Sequence, residues 1–218
     1  KAAHILPAPL LPPPMTYTEL SRFFSSAANL PAPLQQTRNR MFQGGDFRQA
    51  AVLLAVVQHE AQWQILLTRR ADSLRHHTGQ IALAGGRRDA QDPNLTATAL
   101  RETAEETGIE AAHWQTFPQL PAYFTPSGYA VAPVPALSAE SPLTRPNADE
   151  VAEIFYLPLD FALYTANYQS RAFTHNGLTL STPTLPYRHY DIWGLTAMIL
   201  HDLAERYRLF HTHPKKSP

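Results

Sequence analysis

Glu102, Glu105 and Glu106 stand at i, i+3 and i+4 within the run Leu95 to Thr107. That run carries good helix formers, Asn94 or Thr96 is placed to cap its start, and Gly108 can end it in a left-handed turn. On a helix this spacing sets the three carboxylates on one face. Like charges so close repel and cost stability unless something positive sits among them. Arg101 can pair with Glu105, but one guanidinium does not balance three acids. A hard divalent cation does, and Mg²⁺ or Mn²⁺ prefers carboxylate oxygen and water. A merely solvated acidic face is the alternative, and it is what most charge clusters are. Ala97, Leu100 and Ala104 on the opposite side are expected to pack against the body of the fold.

Two glycines precede this segment and favour the metal. Gly85 and Gly86 close an apolar run, Ile81 to Ala84, that reads as a strand. Backbone without side chains can approach a ligand closely. A strand, a glycine-bearing loop and an acidic helix in that order make a cradle for a metal-bound phosphate ester. The stretch resembles the Nudix box, G-x5-E-x7-R-E-U-x-E-E-x-G-U with U aliphatic. Arg101-Glu102, Glu105-Glu106, Gly108 and Ile109 match it in register. Thr103 stands where an aliphatic residue is usual. The upstream Glu is absent; Asp92 occupies its place, with one residue more than the box has before Arg101. One branch of the family shares that insertion. The run LLTRRADSLRHHTGQIALAGG, Leu66 to Gly86, resembles the LLTxR[SA]-x3-R-x3-G-x3-FPGG signature of the coenzyme A pyrophosphatase branch. Leu66, Leu67, Thr68, Arg70, Ala71, Arg75, Gly79, Gly85 and Gly86 fit, and Leu83-Ala84 replaces Phe-Pro. The resemblance covers the chain from about Ala50 to about Tyr207.

The resemblance implies an α+β protein with the Nudix fold, an α/β/α sandwich with a mixed β-sheet and a catalytic loop-helix-loop. It implies Mg²⁺ or Mn²⁺ held by Glu102, Glu105 and Glu106, with the carbonyl of Gly85. Catalytic roles fall to Glu106, to Arg101 as the orienting cation, and to Glu150, an acid just before a later strand; Glu153 is the second choice there. Arg70, Arg75, His77 and Gly86 are the candidates for binding substrate phosphates. Read singly, the arginines are better taken as surface or salt-bridge residues, while Glu150 is equally a solvated loop acid and His77 a plain loop histidine. The expected reaction is hydrolysis of the pyrophosphate of coenzyme A or a derivative to 3′,5′-ADP and 4′-phosphopantetheine or its acyl form. The alternatives are another nucleoside diphosphate derivative (ADP-ribose, a dinucleotide or a nucleoside triphosphate) and a non-catalytic nucleotide-binding module.

The elements that must position these residues follow from the rest of the 218-residue chain, which is long enough for one domain with a sizeable core. Residues 1–47 read as a proline-rich leader, a helix capped by Thr16 and Glu19, and a linker from Leu34 to Phe47; residues 48–210 read as the Nudix domain, and 211–218 as a polar tail. Ala50 to Val57 and Gln64 to Thr68 are expected strands, with His59 to Gln62 the turn between them. Trp114 to Leu120 and Ala130 to Leu137 are further strands, the latter after a Thr125-to-Gly128 turn. His175-Asn-Gly177 reads as a hairpin tip. Tyr187 to Tyr207 closes the domain, with Trp193, Ala197, Leu200 and Ala204 recurring at helical spacing as core. Tyr187 or Tyr190 could stack on an adenine, with packing the simpler role. The formal net charge is zero, so nothing argues for electrostatic capture of nucleic acid or a membrane surface, and the resemblance implies a small-molecule nucleotide substrate as partner. No cysteine is present, which suits a reducing cytoplasm. No apolar run approaches spanning length. A homodimer is an admissible assembly.

Overall fold

The structure, a computed structural model, describes residues 15–42, 44–72, 79–175 and 177–212. Helix α1 (Tyr17–Ala27) opens at Thr16, whose hydroxyl accepts the Glu19 N–H at 3.1 Å. Leu20, Phe23, Phe24 and Ala27 form its buried stripe. Each of the larger side chains adds about 1.5–3 kcal/mol through burial. Where the sequence reading expects a linker from Leu34, helix α2 (Pro33–Met41) forms instead. No side chain of its own caps it. The carboxylate of Asp202, from the far end of the chain, accepts the Leu34 N–H at 3.3 Å and the Gln35 N–H at 2.9 Å. A cap supplied across the fold satisfies the orphan donors of a helix start but leaves no local sequence signature.

Strand β1 (Arg48–His59) turns through Glu60 and Ala61, at φ of 50° and 61°, into β2 (Gln62–Arg70), with His59 opposite Gln62. The run Ile81 to Ala84 is not one strand. β3 (Ile81–Ala82) pairs with β2, and β4 (Gly85–Arg87) pairs with β1, so the glycines begin a strand of their own. Helix α3 (Leu95–Thr107) is capped by Asn94, which accepts the Ala97 N–H at 2.9 Å, and ends at Gly108 with φ 75°. The expected strand from Trp114 to Leu120 shrinks to β5 (Gln115–Thr116), followed by β6 (Tyr123–Phe124). Their partner β7 (Tyr129–Ser138) carries Pro133 and Pro135, which have no N–H to give, so pairing on that edge is interrupted. The Thr125-to-Gly128 turn closes with the Gly128 N–H on the Thr125 carbonyl at 3.0 Å. β8 (Val151–Pro158), α4 (Leu159–Leu163), β9 (Gln169–His175), β10 (Leu178–Tyr187), β11 (Tyr190–Ile192) and α5 (Gly194–Thr212) complete the described chain.

Eight strands form one mixed sheet, in main order β3-β2-β1-β7-β5, with β4 on β1, β6 on β7 and β8 on β2. β1 and β7 run parallel, and β9 to β11 form a second, antiparallel sheet. The period of a strand sorts the apolar run of β1 onto two faces. Ala51, Leu53, Ala55 and Val57 share a buried cluster with Ala99 of α3, while Leu54 and Val56 join α1 and α5 in the other. This is the α/β/α sandwich expected of the sequence, in the α+β class. Ala197, Leu200 and Ala204 are buried, but Trp193 precedes α5 and is 40% exposed, with Arg171 over its ring. The assignment of Trp193 to the core is therefore corrected: Gly194, at φ 64°, starts the helix one residue later and turns the indole out. Of the hairpin tip, Asn176 lies outside the described residues. α5 runs on to Thr212, and His211 bonds Glu19 of α1 at 2.8 Å.

Candidate active site

Helix α3 is held against β1 by a face different from the expected one. Ala99 and Thr103 are fully buried, whereas Ala97, Leu100 and Ala104 are only half-buried. Thr103 is tolerated at a usually aliphatic place because its hydroxyl donates to the Ala99 carbonyl at 2.7 Å. This rotation carries Glu106 inward with the core face. The three glutamates consequently have three environments. Glu106 is 5% exposed and accepts the Gly85 N–H at 3.3 Å. Burial pushes its carboxyl up to about 7, the charges of Glu102 and Glu150 add to this, and the Gly85 N–H and Arg70 oppose it. Burial likewise raises Glu102, against the pull of Arg101. Glu105 is half-exposed and turned toward Arg101.

The glycine pair is required by the protein's own packing. A side chain at Gly85 would put Cβ 2.3 Å from the Ala51 carbonyl oxygen and 2.5 Å from Val52 Cα, so β4 could not pair with β1. At Gly86, Cβ would fall 2.5 Å from Cδ of Glu102. The space left at Gly86 is the seat of the Glu102 carboxylate.

Arg101 fastens the loop to the helix. Its Nη1 donates to Glu102 at 2.9 Å and to Glu105 at 3.2 Å. Its Nε and Nη2 grip the two oxygens of Asp92 at 3.1 and 3.0 Å, and Nη2 also reaches the Arg87 carbonyl at 3.1 Å. Asp92 is buried, and Arg101 holds its carboxyl well below the usual carboxylate range, helped by the Asp89 N–H and the Thr98 hydroxyl. Sequence reasoning treated Asp92 only as a departure from the box; its signal was an acid one residue out of register with an upstream Glu.

Glu150 is exposed at the entrance to β8, and its charge raises both Glu102 and Glu106. Its backbone carbonyl accepts the Ala71 N–H at 2.8 Å, which ties this loop to the end of β2. Arg70, the last residue of β2, sits at a register shift against β8; its Nε is buried with no hydrogen-bond partner among the described residues, and its charge acts on Glu106. Glu153, the second choice for the base, is engaged by Tyr190 and by Arg69 at 3.5 Å. Tyr190 stacks on Phe155 with centroids 3.7 Å apart and meets the His189 ring at 4.0 Å, so its ring packs within the protein. Arg75 and His77 lie outside the described residues.

Among the described residues no three acidic or imidazole groups converge into a ready metal cage. The donors nevertheless fit Mg²⁺ or Mn²⁺. Mg²⁺ is usually held by one or two carboxylates with water and substrate phosphates. Glu102 and Glu106 supply two carboxylates on one helix face beside the glycine pair, and burial raises the pKa of both, for Glu102 against the pull of Arg101.

Fold and site together define a hydrolase of phosphoric anhydrides. The chain belongs to the Nudix family: residues 47–176 match the NUDIX domain. Nudix hydrolases act on phosphoric anhydride bonds of nucleotide derivatives and generally use divalent ions such as Mg²⁺ or Mn²⁺. The chain is 40% identical over 157 residues to the protein named uncharacterized Nudix hydrolase NudL of Pectobacterium atrosepticum, covering 72% of this chain and 81% of that one. To the protein of the same name in Yersinia pestis it is 36% identical over 177 residues, covering 81% and 88%. Among solved structures, a C. elegans Ap4A hydrolase binary complex is similar at 16% identity and a TM-score of 0.48, covering 75% of this chain and 98% of that one. No helix among the described residues is long and apolar enough to cross a membrane.

Proposed function

We infer that this hydrolase cuts coenzyme A or its derivatives at the pyrophosphate, releasing 3′,5′-ADP and 4′-phosphopantetheine or its acyl form. One observation carries the reading. The segment that resembles the coenzyme A pyrophosphatase signature begins on β2 and ends at the glycines of the carboxylate cradle, and its Arg70 keeps a buried Nε–H without a partner among the described residues. A buried guanidinium donor near paired acids is a binding group for a phosphate oxygen. The backbone at Gly86 extends the same anion site, and the resemblance adds Arg75 and His77 as candidates for binding substrate phosphates.

Glu102 and Glu106, with Glu105 and the Gly85 carbonyl, would hold Mg²⁺ or Mn²⁺. When bound, such a cation neutralises phosphate oxygens, stabilises charge on the leaving phosphate and activates water. Arg101 keeps Glu102 and Glu105 in place while Asp92 fixes Arg101. Arg70 aligns the diphosphate. Water attacks phosphorus, the anhydride P–O bond breaks, and the proton passes to a carboxylate. Glu150 is suited to that role because it is exposed and close enough to raise the acids of the cradle; Glu106 is the other candidate. The cysteine-free composition suits a reducing cytoplasm.

A second reading, hydrolysis of another nucleoside diphosphate derivative, is favoured by Leu83 and Ala84, which stand buried where the branch has Phe-Pro. Parallel kcat/KM values for coenzyme A, ADP-ribose, a diadenosine dinucleotide and a nucleoside triphosphate, under one metal condition, separate the two. Coenzyme A should be preferred; preference for any other member of the panel overturns the first reading.

A further inference from the structure

Next to the cradle lies a cavity that this reaction scheme does not use. It encloses about 350 Å³, opens to solvent and is lined by Arg48 and Gln49 of β1 and by Arg87, Arg88, Asp89 and Ala90. Three arginines and one aspartate thus line it, and the Asp89 carboxylate lies 3.8 Å from Arg101. Arg48 lies 4.2 Å over the Tyr129 ring and donates to the Ser127 carbonyl at 3.3 Å. Arg88 donates to the Gln49 amide oxygen at 2.7 Å and to the Asp92 carbonyl at 3.1 Å. These neutral partners fix the guanidinium groups without cancelling their charge. The Arg87 side chain is exposed and has no ion-pair or hydrogen-bond partner among the described residues.

Arginines held by neutral acceptors and unpaired with acids form an anion subsite, since planar donors match a phosphate. Arg88 follows Gly86 by two residues, roughly 7 Å along an extended backbone. A ribose that carries a diphosphate at its 5′ position and a second phosphate at its 3′ position spans a gap of that size.

We propose that this arginine-lined cavity binds a phosphomonoester on the substrate ribose and so selects 3′-phosphorylated nucleoside diphosphates over their dephospho forms. The proposal rests on the pyrophosphohydrolase reading of the adjoining cradle. Its test does not depend on turnover. Affinities of the metal-free protein for 3′,5′-ADP and 5′-AMP are measured by calorimetry, in the wild type and in the double variant Arg48→Ala with Arg87→Ala. Both residues are exposed, and Arg88, which braces the loop, is left intact. The wild type should favour 3′,5′-ADP by about tenfold or more, the worth of one charge-assisted contact, and the ratio should fall toward one in the double variant. Equal affinities in the wild type, no binding of either nucleotide, or a ratio untouched by the substitutions overturns the subsite. Hydrolysis of coenzyme A and dephospho-coenzyme A is followed in parallel. Failure to cut either overturns the substrate reading while the binding ratio still decides the subsite. Equal cutting of both, with no binding preference, removes the subsite and leaves that reading standing.

Discussion

Replacing Glu106 with glutamine should abolish hydrolysis and, in the absence of metal, make the protein more stable at alkaline pH. An ordinary glutamate titrates at 4.5, and in the fold Glu106 is pushed up to about 7. The folded state therefore holds the proton more tightly than the unfolded chain. Its stabilising contribution is complete below about 4.5 and is lost as pH rises through about 7. The difference, about 2.5 pKa units at about 1.4 kcal/mol each, amounts to about 3 kcal/mol once both states are ionised. Glutamine stays neutral throughout, and its amide oxygen can still accept the Gly85 N–H. Urea unfolding in chelator, at about pH 5 and about pH 8, should show the variant gaining about 2–3 kcal/mol on the wild type between the two conditions. Taking the difference between the two proteins cancels groups that titrate alike in both. A pH-independent difference, or a gain for the wild type with rising pH, would refute the reasoning; Arg70 and the Gly85 N–H would then be holding Glu106 ionised. Mg²⁺ should stabilise the wild type more than the variant, and more at the higher pH.

The two glycines should separate function from folding. Gly86→Ala displaces the flexible end of Glu102, so it should lower turnover with little change in Tm, whereas Gly85→Ala meets the backbone of β1 and should cost about 1–3 kcal/mol, read by thermal unfolding. Asp202→Ala strips the Tyr123 hydroxyl and two N–H groups of α2 of their shared carboxylate and removes the negative charge that acts on buried Arg206, and should destabilise by about 3–5 kcal/mol in urea titration without altering the substrate preference. Arg101→Lys and Asp92→Asn should each lower kcat, and a double-mutant cycle should return a coupling of about 0.5–3 kcal/mol, because each acts through the other.

The helix that carries the acids was legible in sequence to the residue, since Asn94, the run of helix formers and Gly108 are all local signals. Its orientation was not: Thr98, Thr103 and Thr107 are polar by type, yet they are buried because their hydroxyls bond within the helix or to Asp92, so the pattern of apolar residues pointed to another face. The glycine pair was read as open to a ligand, while its first duty is to let β4 and Glu102 pack, which depends on contacts distant in the chain. Helix α2 was missed for the same reason, its cap being Asp202. The short β5 and β6 follow from prolines in a neighbouring strand, a consequence visible only once the pairing is known.

The central claim is that the Glu102–Glu106 cradle drives metal-dependent cleavage of a pyrophosphate, most directly that of coenzyme A. Purified protein incubated with coenzyme A and Mg²⁺ or Mn²⁺, with and without chelator and alongside Glu106→Gln, can be read by mass spectrometry. The account predicts 3′,5′-ADP and 4′-phosphopantetheine from the wild type with metal alone. Products that persist in chelator or in the Glu106→Gln protein, or intact coenzyme A in a folded wild-type sample, would contradict it.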